Sequence, residues 1–211
     1  MNHTAFIQSN TSILSPPLVS EIKLHLAYEA LPIWQKTEEE LGQIGLPPPF
    51  WAFAWAGGQA LSRYILDNPE LVQGMRVIDL ASGSGMVAIA AMKAGAKSVL
   101  AADIDIFAIA AIQLNAAQNR VAVDVTMTDL LGEAVPDAEV ILVGDLFYEK
   151  TLADRCLKWL RRARNVLILI GDPGRSYLPQ NELIKIAEYC VPVSRDLEDS
   201  EIKQTAVWKL A

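Results

Sequence analysis

Residues 77–85 read VIDLASGSG, a short apolar run that ends near an aspartate and is followed by a loop with two glycines. Residues 86–94 follow as a predicted helix that ends at Gly95. This order of buried strand, glycine loop and helix is typical of a nucleotide site, because glycines let the backbone approach a ligand and a helix N-terminus offers unpaired N–H groups. Residues 83–88 also fit the G-x-G-x-x-A pattern of dinucleotide-binding folds, and a tight turn without a ligand stays open as an alternative.

Short apolar runs and longer helical runs alternate along the rest of the chain. We predict strands at residues 75–80, 98–102, 121–127, 140–143 and 166–170 and a helix at residues 106–117. The strands are rich in β-branched residues and lack polar alternation, which indicates burial on both faces, as in a parallel sheet covered by helices. Residues 191–195 and 205–210 predict a final antiparallel hairpin. The predicted fold class is α/β, with a doubly wound, mostly parallel, seven-stranded Rossmann-like sheet.

The beginning of the chain departs from this pattern and is predicted to be a helical N-terminal arm, residues 1–48, ahead of a main domain at residues 49–211. Three consecutive prolines at 47–49 mark the boundary. Helical spacing is seen for Leu18, Ile22, Leu26 and Ala30. Pro32 is expected to open a second helix that runs through the three glutamates at 38–40.

Composition excludes several classes of function. The chain has 211 residues, with 18 Lys+Arg against 25 Asp+Glu and a net charge of −7, so a nucleic-acid partner is not expected. Two cysteines and two histidines, the latter both near the N-terminus, do not assemble a metal site. No apolar run reaches the roughly 18 residues of a membrane span. The first residues lack the features of a secretory or mitochondrial leader, so we expect a cytoplasmic protein with no membrane partner.

Aspartates follow the second and third predicted strands. Asp103 lies 20 residues after Gly83, where an acid reaches the hydroxyls of a ribose. Its alternative role is to cap the next helix, for which Asp105 is better placed. Asp129 lies where a nucleotide-binding fold offers a carboxylate to an exocyclic amine such as that of adenine, although a local turn ahead of Gly132 explains it nearly as well.

Aromatic residues accompany the predicted edge of the sheet. The fourth strand leads into DLFY at residues 145–148, which places a carboxylate and two aromatic rings where open α/β sheets bind ligands. Asp145 and Tyr148 are therefore the candidate catalytic residues. Upstream, residues 50–58 read FWAFAWAGG, and aromatic faces attract cations such as a sulfonium. The alternative for this segment is that it packs the arm onto the sheet.

Together, residues 77–85, Asp103, Asp129 and residues 145–148 resemble the ordered motifs of class I S-adenosylmethionine-dependent methyltransferases. The D-x-x-Y form at 145–148 and the segment at 55–61 are similar to the seven-strand protein-lysine methyltransferases. Within these, the likeness is greatest to the enzymes that methylate the β subunit of electron transfer flavoprotein, which PFWAF at 49–53, GDPGR at 171–175 and LED at 197–199 also resemble. The resemblance covers roughly residues 45–211. It departs at Ala81, where many members have glycine, and at Asp103, where glutamate is common.

The resemblance implies S-adenosylmethionine as cofactor and a protein substrate, the β subunit of electron transfer flavoprotein being the suspected one. The implied cofactor-binding residues are Trp55, Gly58, Asp79, Ala81, Ser82, Gly83, Gly85, Asp103, Ile104, Asp129 and Leu130. Asp145 and Tyr148 are expected to hold the lysine amine. Two alternatives stay open, an N-methyltransferase of small-molecule amines and an NAD(P)-dependent oxidoreductase.

Overall fold

The computed structural model describes residues 2–27, 48–193 and 201–211. It begins with helix α1 (His3–Asn10), which is followed by an antiparallel pair of short strands, β1 (Ser12–Leu14) and β2 (Leu24–Leu26). The helix that helical spacing predicted through Leu18, Ile22 and Leu26 was therefore wrong. Ala30, Pro32 and the glutamates at 38–40 lie outside the described residues.

The segment is not helical because backbone N–H groups within it donate hydrogen bonds to side chains of the main domain and not to carbonyl groups of a helical turn. Asn115 Oδ1 accepts the N–H of His25 at 2.7 Å, and Asn119 Oδ1 accepts the N–H of Lys23 at 3.0 Å. The segment's apolar residues are buried in one cluster with residues of the main domain: Val19, Ile22, Leu24, Leu26, Met86, Ile89 and Ala90. Burial of an irregular segment thus produced a spacing that looked helical.

A seven-stranded sheet forms the centre of the main domain. Its strands are β3 (Arg76–Leu80), β4 (Ser98–Ala102), β5 (Asp124–Thr126), β6 (Val140–Gly144), β7 (Leu167–Asp172), β8 (Leu183–Pro192) and β9 (Ile202–Leu210). They lie in the order β5-β4-β3-β6-β7-β9-β8. The first five in this order are parallel, and β9 is antiparallel to both β7 and β8. The predicted fold class is confirmed.

Helices cover both faces of this sheet, as the apolar strands predicted. They are α2 (Ala56–Asp67), α3 (Met86–Lys93), α4 (Ile106–Gln118) and α5 (Lys150–Leu160). Neighbouring residues of β3 face opposite sides: Val77 packs in the cluster with α2 and α3, whereas Ile78 packs in the cluster with α5. Among the described residues, no helix has the length and apolar character that crossing a membrane requires.

Several strand boundaries differ from the prediction, most of all those of β5, β8 and β9, the last of which begins at Ile202 and not at residue 205. The structure has β5 only at Asp124–Thr126, within the longer predicted run at 121–127. Strand β8 begins at Leu183, well before residue 191. The prediction missed its first part because Lys185 and Glu188 interrupt the apolar pattern and a register shift between Lys185 and Ala187 breaks the period of two. The predicted residues 194 and 195 lie outside the described part of the chain.

Candidate active site

A cleft of about 900 Å³ lies at the carboxyl ends of the parallel strands. It opens where the order of the sheet reverses, between β3 and β6, which is where open α/β sheets bind ligands. The predicted site residues that line it are Trp55, Gly58, Asp79, Ala81, Ser82, Gly83, Asp103, Ile104, Asp129, Leu130, Asp145 and Tyr148. Gly85 is the one predicted site residue outside this lining, and it lies at the start of α3. One cleft therefore brings the predicted cofactor and catalytic residues together.

The loop between β3 and α3 turns through left-handed conformations at Ala81, Gly83 and Gly85, with φ of 53°, 54° and 80°. A Cβ atom at Gly83 would meet other atoms no closer than 3.9 Å, so Gly83 borders the open cleft. A Cβ atom at Gly85 would lie 3.2 Å from the backbone of Ile112, so Gly85 lets α3 pack against α4. The two glycines of the motif thus serve different purposes.

Asp79, in β3, stabilises the conformation of this loop through hydrogen bonds. Its Oδ2 accepts hydrogen bonds from Ser82 Oγ at 2.5 Å and from the N–H of Ala88 at 3.0 Å. The carboxyl group is almost fully buried, and burial raises its pKa to about 7, although both hydrogen bonds favour the ionised form. Asp79 therefore connects the end of β3 to the first turn of α3.

Asp103, at the end of β4, reaches across to the same loop. Its Oδ2 accepts the N–H of Gly83 at 2.8 Å, and its Oδ1 accepts the N–H of Asp105 at 3.0 Å. Asp105 is the residue that caps α4, through the N–H of Phe107 at 2.9 Å, as the sequence predicted. Because a carboxylate oxygen accepts more than one hydrogen bond, Asp103 keeps acceptor capacity toward the cleft. Burial raises the pKa of Asp103.

The far end of the cleft beyond Asp103 has apolar walls. Ile104 and Met127 are 71% and 54% exposed, and both line the cleft. Asp129 also lies here, but its oxygens accept from the N–H of Leu131 at 3.1 Å and from Arg155 Nη2 at 2.6 Å. The local turn that the sequence left open at Asp129 is thus present, and its contact with an adenine amine stays a prediction.

Asp145 lies at the other end of the cleft and is 8% exposed. Its Oδ2 accepts the N–H groups of Gly57 and Gly58 at the start of α2, the latter at 3.2 Å. Its Oδ1 accepts from Nε and Nη2 of Arg175 at 2.9 and 2.7 Å. Asp145 also adopts a left-handed conformation, with φ of 53°. Both of its oxygens are thus bonded within the protein, and its contact with a lysine amine stays a prediction.

Close backbone packing positions α2 beside Asp145. A Cβ atom at Gly171 would overlap the carbonyl oxygen of Gly57, and one at Gly57 would overlap Gly171 in return. A Cβ atom at Gly144 would lie 3.2 Å from the Cα of Gly58. Glycines on both sides therefore let the helix N-terminus rest directly on the ends of β6 and β7. This helix was not predicted from the sequence, although its buried residues Ala56, Ala60 and Leu61 recur at helical spacing.

Three aromatic rings stand at the mouth of this end. Phe50 lies 6.0 Å from Trp55 and 5.7 Å from Tyr148, measured between ring centres, and all three line the cleft. The indole N–H of Trp55 donates to the carbonyl of Phe50 at 2.9 Å. Trp51 and Phe53 also border the cleft, but they are only 2% and 7% exposed and pack with α4, as the packing alternative predicted for this segment.

Arg155 and Arg175 line the cleft and were absent from the predicted site. Arg155 pairs with Asp129, and Arg175 pairs with Asp145. The sequence offered a signal for Arg175, since it follows the strand end in GDPGR at 171–175. Met127 was also missed because it lies in an apolar run that was interpreted as a buried strand.

Comparison with known proteins agrees with this geometry. The family model described as ribosomal protein L11 methyltransferase (PrmA) matches residues 59–146. A Xenopus laevis electron transfer flavoprotein beta subunit lysine methyltransferase is 39% identical, over 97% of this chain and 85% of the relative.

Solved structures share the fold. A ribosomal protein L11 methylase from Lactobacillus delbrueckii subsp. bulgaricus has a TM-score of 0.54 and 23% identity, covering 75% of this chain and 81% of its own. A magnesium protoporphyrin IX methyltransferase from Synechocystis PCC 6803, with bound SAM, has a TM-score of 0.55 and 12% identity, covering 73% and 78%.

The chain is a class I S-adenosylmethionine-dependent methyltransferase. This follows from the strand order β5-β4-β3-β6-β7-β9-β8, from the glycine loop after β3 and from the matches to known methyltransferases. This excludes the alternative of an NAD(P)-dependent oxidoreductase. More narrowly, the chain belongs to the family of electron transfer flavoprotein beta subunit lysine methyltransferases, and it is a protein-lysine methyltransferase.

Proposed function

We propose that this protein transfers methyl groups from S-adenosylmethionine to lysine side chains of the β subunit of electron transfer flavoprotein. The observation that carries the proposal is that one cleft runs from the glycine loop and Asp103 to the aromatic mouth formed by Phe50, Trp55 and Tyr148. A cofactor at the first end then faces an acceptor entering at the second. The relatives named for this substrate match almost the whole chain.

The residues of the cleft fit S-adenosylmethionine. Gly83 borders the cleft without a side chain, and Asp103 has acceptor capacity for the two ribose hydroxyls. Ile104 and Met127 offer apolar surface to the faces of an adenine ring. Trp55 offers an aromatic face to a cationic sulfonium. These groups fit the adenine ring, the ribose and the sulfonium of the cofactor.

When bound, the cofactor would supply an electrophilic methyl carbon for the amine nitrogen, with the neutral thioether of S-adenosylhomocysteine as the leaving group. A lysine amine attacks only after losing a proton, and its ordinary pKa is about 10.4. The chain contributes chiefly alignment and exclusion of water, which together account for several kcal/mol of the barrier, on the order of 7 to 11 in favourable models.

Tyr148 is the group that we assign to the amine. It is 47% exposed, lines the cleft and lies beside Phe50, so a side chain that enters from solvent can reach it. Asp145, with both oxygens bonded to α2 and Arg175, acts on the amine through the position of the loop that carries Tyr148. Water takes up the proton that the lysine amine loses before it attacks.

The proposal is tested by incubating the purified protein with methyl-labelled S-adenosylmethionine and purified β subunit of electron transfer flavoprotein. We expect label on lysine residues of the β subunit, identified by mass spectrometry of its peptides. A parallel incubation with free lysine and other small amines tests the alternative acceptor class. Label on the small amines, with an unmodified β subunit, would refute the protein substrate.

A further inference from the structure

Arg175 joins three parts of the acceptor end of the cleft. Its Nε and Nη2 donate to Asp145 Oδ1 at 2.9 and 2.7 Å, and its guanidinium carbon lies 5.8 Å from the centre of the Trp55 ring. Asp145 in turn accepts the N–H groups of Gly57 and Gly58, at the start of α2. Because Trp55 immediately precedes α2, these contacts close a ring of interactions.

The ring is anchored to the central sheet through the backbone of Arg175. Asp172, the last residue of β7, is 1% exposed, and its Oδ1 accepts the N–H groups of Gly174 and Arg175, each at 2.7 Å. These two bonds fix the turn from which the arginine side chain extends. The orientation of the guanidinium is therefore set by β7, whereas Asp145 follows the end of β6 and Trp55 precedes α2.

We infer that Arg175 is a positioning residue for methyl transfer, which holds Asp145 and Trp55 in place so that Tyr148 and the aromatic mouth align the incoming amine. The inference rests on the proposed function for the identity of that amine. Asp145 begins the loop that carries Tyr148, and it does so in a left-handed conformation, with φ of 53°. Such a conformation persists only where neighbouring contacts impose it.

Only arginine fits this position among the basic residues. Its planar fork presents Nε and Nη2 to one carboxylate and stacks its face on an aromatic ring at the same time. Lysine keeps the charge but offers a single flexible ammonium group. The Arg175 side chain is 21% exposed and that of Asp145 is 7% exposed, so this pair is weakly screened by solvent.

The test compares Arg175→Lys with a matched control, Arg161→Lys. Arg161 also donates through Nε and Nη2 to a carboxylate, that of Glu182, but on an exposed surface outside the cleft. Asp172→Ala is the second variant, because it frees the turn without touching the guanidinium. Three quantities are measured: hydrogen exchange of the Gly57 amide and Trp55 indole N–H groups by NMR, the affinity for S-adenosylhomocysteine, and kcat with the β subunit.

For Arg175→Lys we expect severalfold faster exchange at the Gly57 and Trp55 N–H groups and a kcat lower by about 10- to 100-fold, the scale of losing alignment. Affinity for S-adenosylhomocysteine should stay within a few-fold, and the melting temperature should match that of the Arg161→Lys control. Asp172→Ala should change exchange and kcat in the same direction.

Unchanged exchange at both N–H groups in Arg175→Lys would overturn the inference, whatever the acceptor proves to be. A parallel fall of kcat, cofactor affinity and melting temperature would also overturn it, because that pattern indicates a merely structural residue. Failure of the proposed function looks different: the wild-type protein would leave the β subunit unlabelled, while the exchange measurement still decides the role of Arg175.

Discussion

Two carboxylates at the base of the cleft, Asp79 and Asp103, divide the tasks of shaping a loop and facing a ligand. Asp79 is almost fully buried and accepts hydrogen bonds from Ser82, in the loop that follows it, and from Ala88, in helix α3. Asp103 also bonds to the loop, at Gly83, but it stands at the edge of the cleft. The identities of both residues were predictable from spacing, whereas their different partners depended on the loop geometry.

We predict that Asp103→Ala lowers affinity for S-adenosylhomocysteine by at least about 100-fold. The substitution removes a charged acceptor of two ribose hydroxyls, and each such hydrogen bond contributes about 1.5–3 kcal/mol. Isothermal titration calorimetry measures the change. Asp124→Ala, an exposed position on β5 outside the cleft, is the control and should bind like the wild type. If the wild type, Asp103→Ala and Asp124→Ala bind S-adenosylhomocysteine with equal affinity, Asp103 does not contact the cofactor.

We predict that Asp79 makes stability depend on pH. Its folded-state pKa is raised to about 7 by burial, well above the ordinary value near 4, so the folded protein holds this proton more tightly than the unfolded chain does. Stability from this group is therefore present at acidic pH and is lost as pH rises toward 7. The free energy of unfolding of the wild type relative to Asp79→Asn should fall between pH 5 and pH 8, as measured in urea titrations. A difference that is constant over this range would contradict the assignment.

At the scale of elements, the seating of α2 on the sheet determines the acceptor end. The helix approaches the ends of β6 and β7 so closely that Gly57 and Gly171 leave no room for a side chain. This contact places the first N–H groups of α2 at Asp145. The apolar runs of the sequence predicted the strands, but α2 was not predicted, although Ala56, Ala60, Leu61 and Ile65 recur at helical spacing. The contact between Gly57 and Gly171, by contrast, leaves no hydrophobic pattern.

Gly171→Ala is expected to lower the free energy of unfolding by about 3 kcal/mol, because its methyl group would overlap the Gly57 carbonyl and displace α2. Gly132→Ala is the matched control, since a Cβ atom there would meet nothing within 4 Å and its backbone is outside the left-handed region. Urea unfolding followed by circular dichroism compares the two. If both variants unfold at the wild-type urea concentration, the helix is not seated as described.

On the scale of the whole molecule, the N-terminal segment at residues 2–27 is bonded to the cofactor loop through one buried side chain. Asn115, on α4, accepts the N–H of His25 and donates its own amide to the carbonyl of Ser84 at 2.8 Å. The residues that it joins are far apart in sequence. Local periodicity holds no information on such a contact, which is why the sequence predicted a separate helical arm here.

Asn115→Ala should therefore lower both stability and cofactor affinity, the affinity by about tenfold. It leaves the buried N–H of His25 and the carbonyl of Ser84 without their partner, and each unsatisfied buried group costs about 1–3 kcal/mol. Asn119→Ala is the comparison, because Asn119 bonds Lys23 and has no bond to the loop. Thermal unfolding and calorimetry are the measurements, and an equal loss of affinity in both variants would contradict a specific link from Asn115 to the loop.

The cleft between the glycine loop and the aromatic mouth is where we expect the cofactor to bind. A crystal structure of the protein with S-adenosylhomocysteine would show whether the ligand lies there. We predict ribose hydroxyls within hydrogen-bond distance of Asp103, the adenine between Ile104 and Met127, and the sulfur facing Trp55 and Tyr148. Clear density for the ligand elsewhere on the protein, with an empty cleft, would contradict the account.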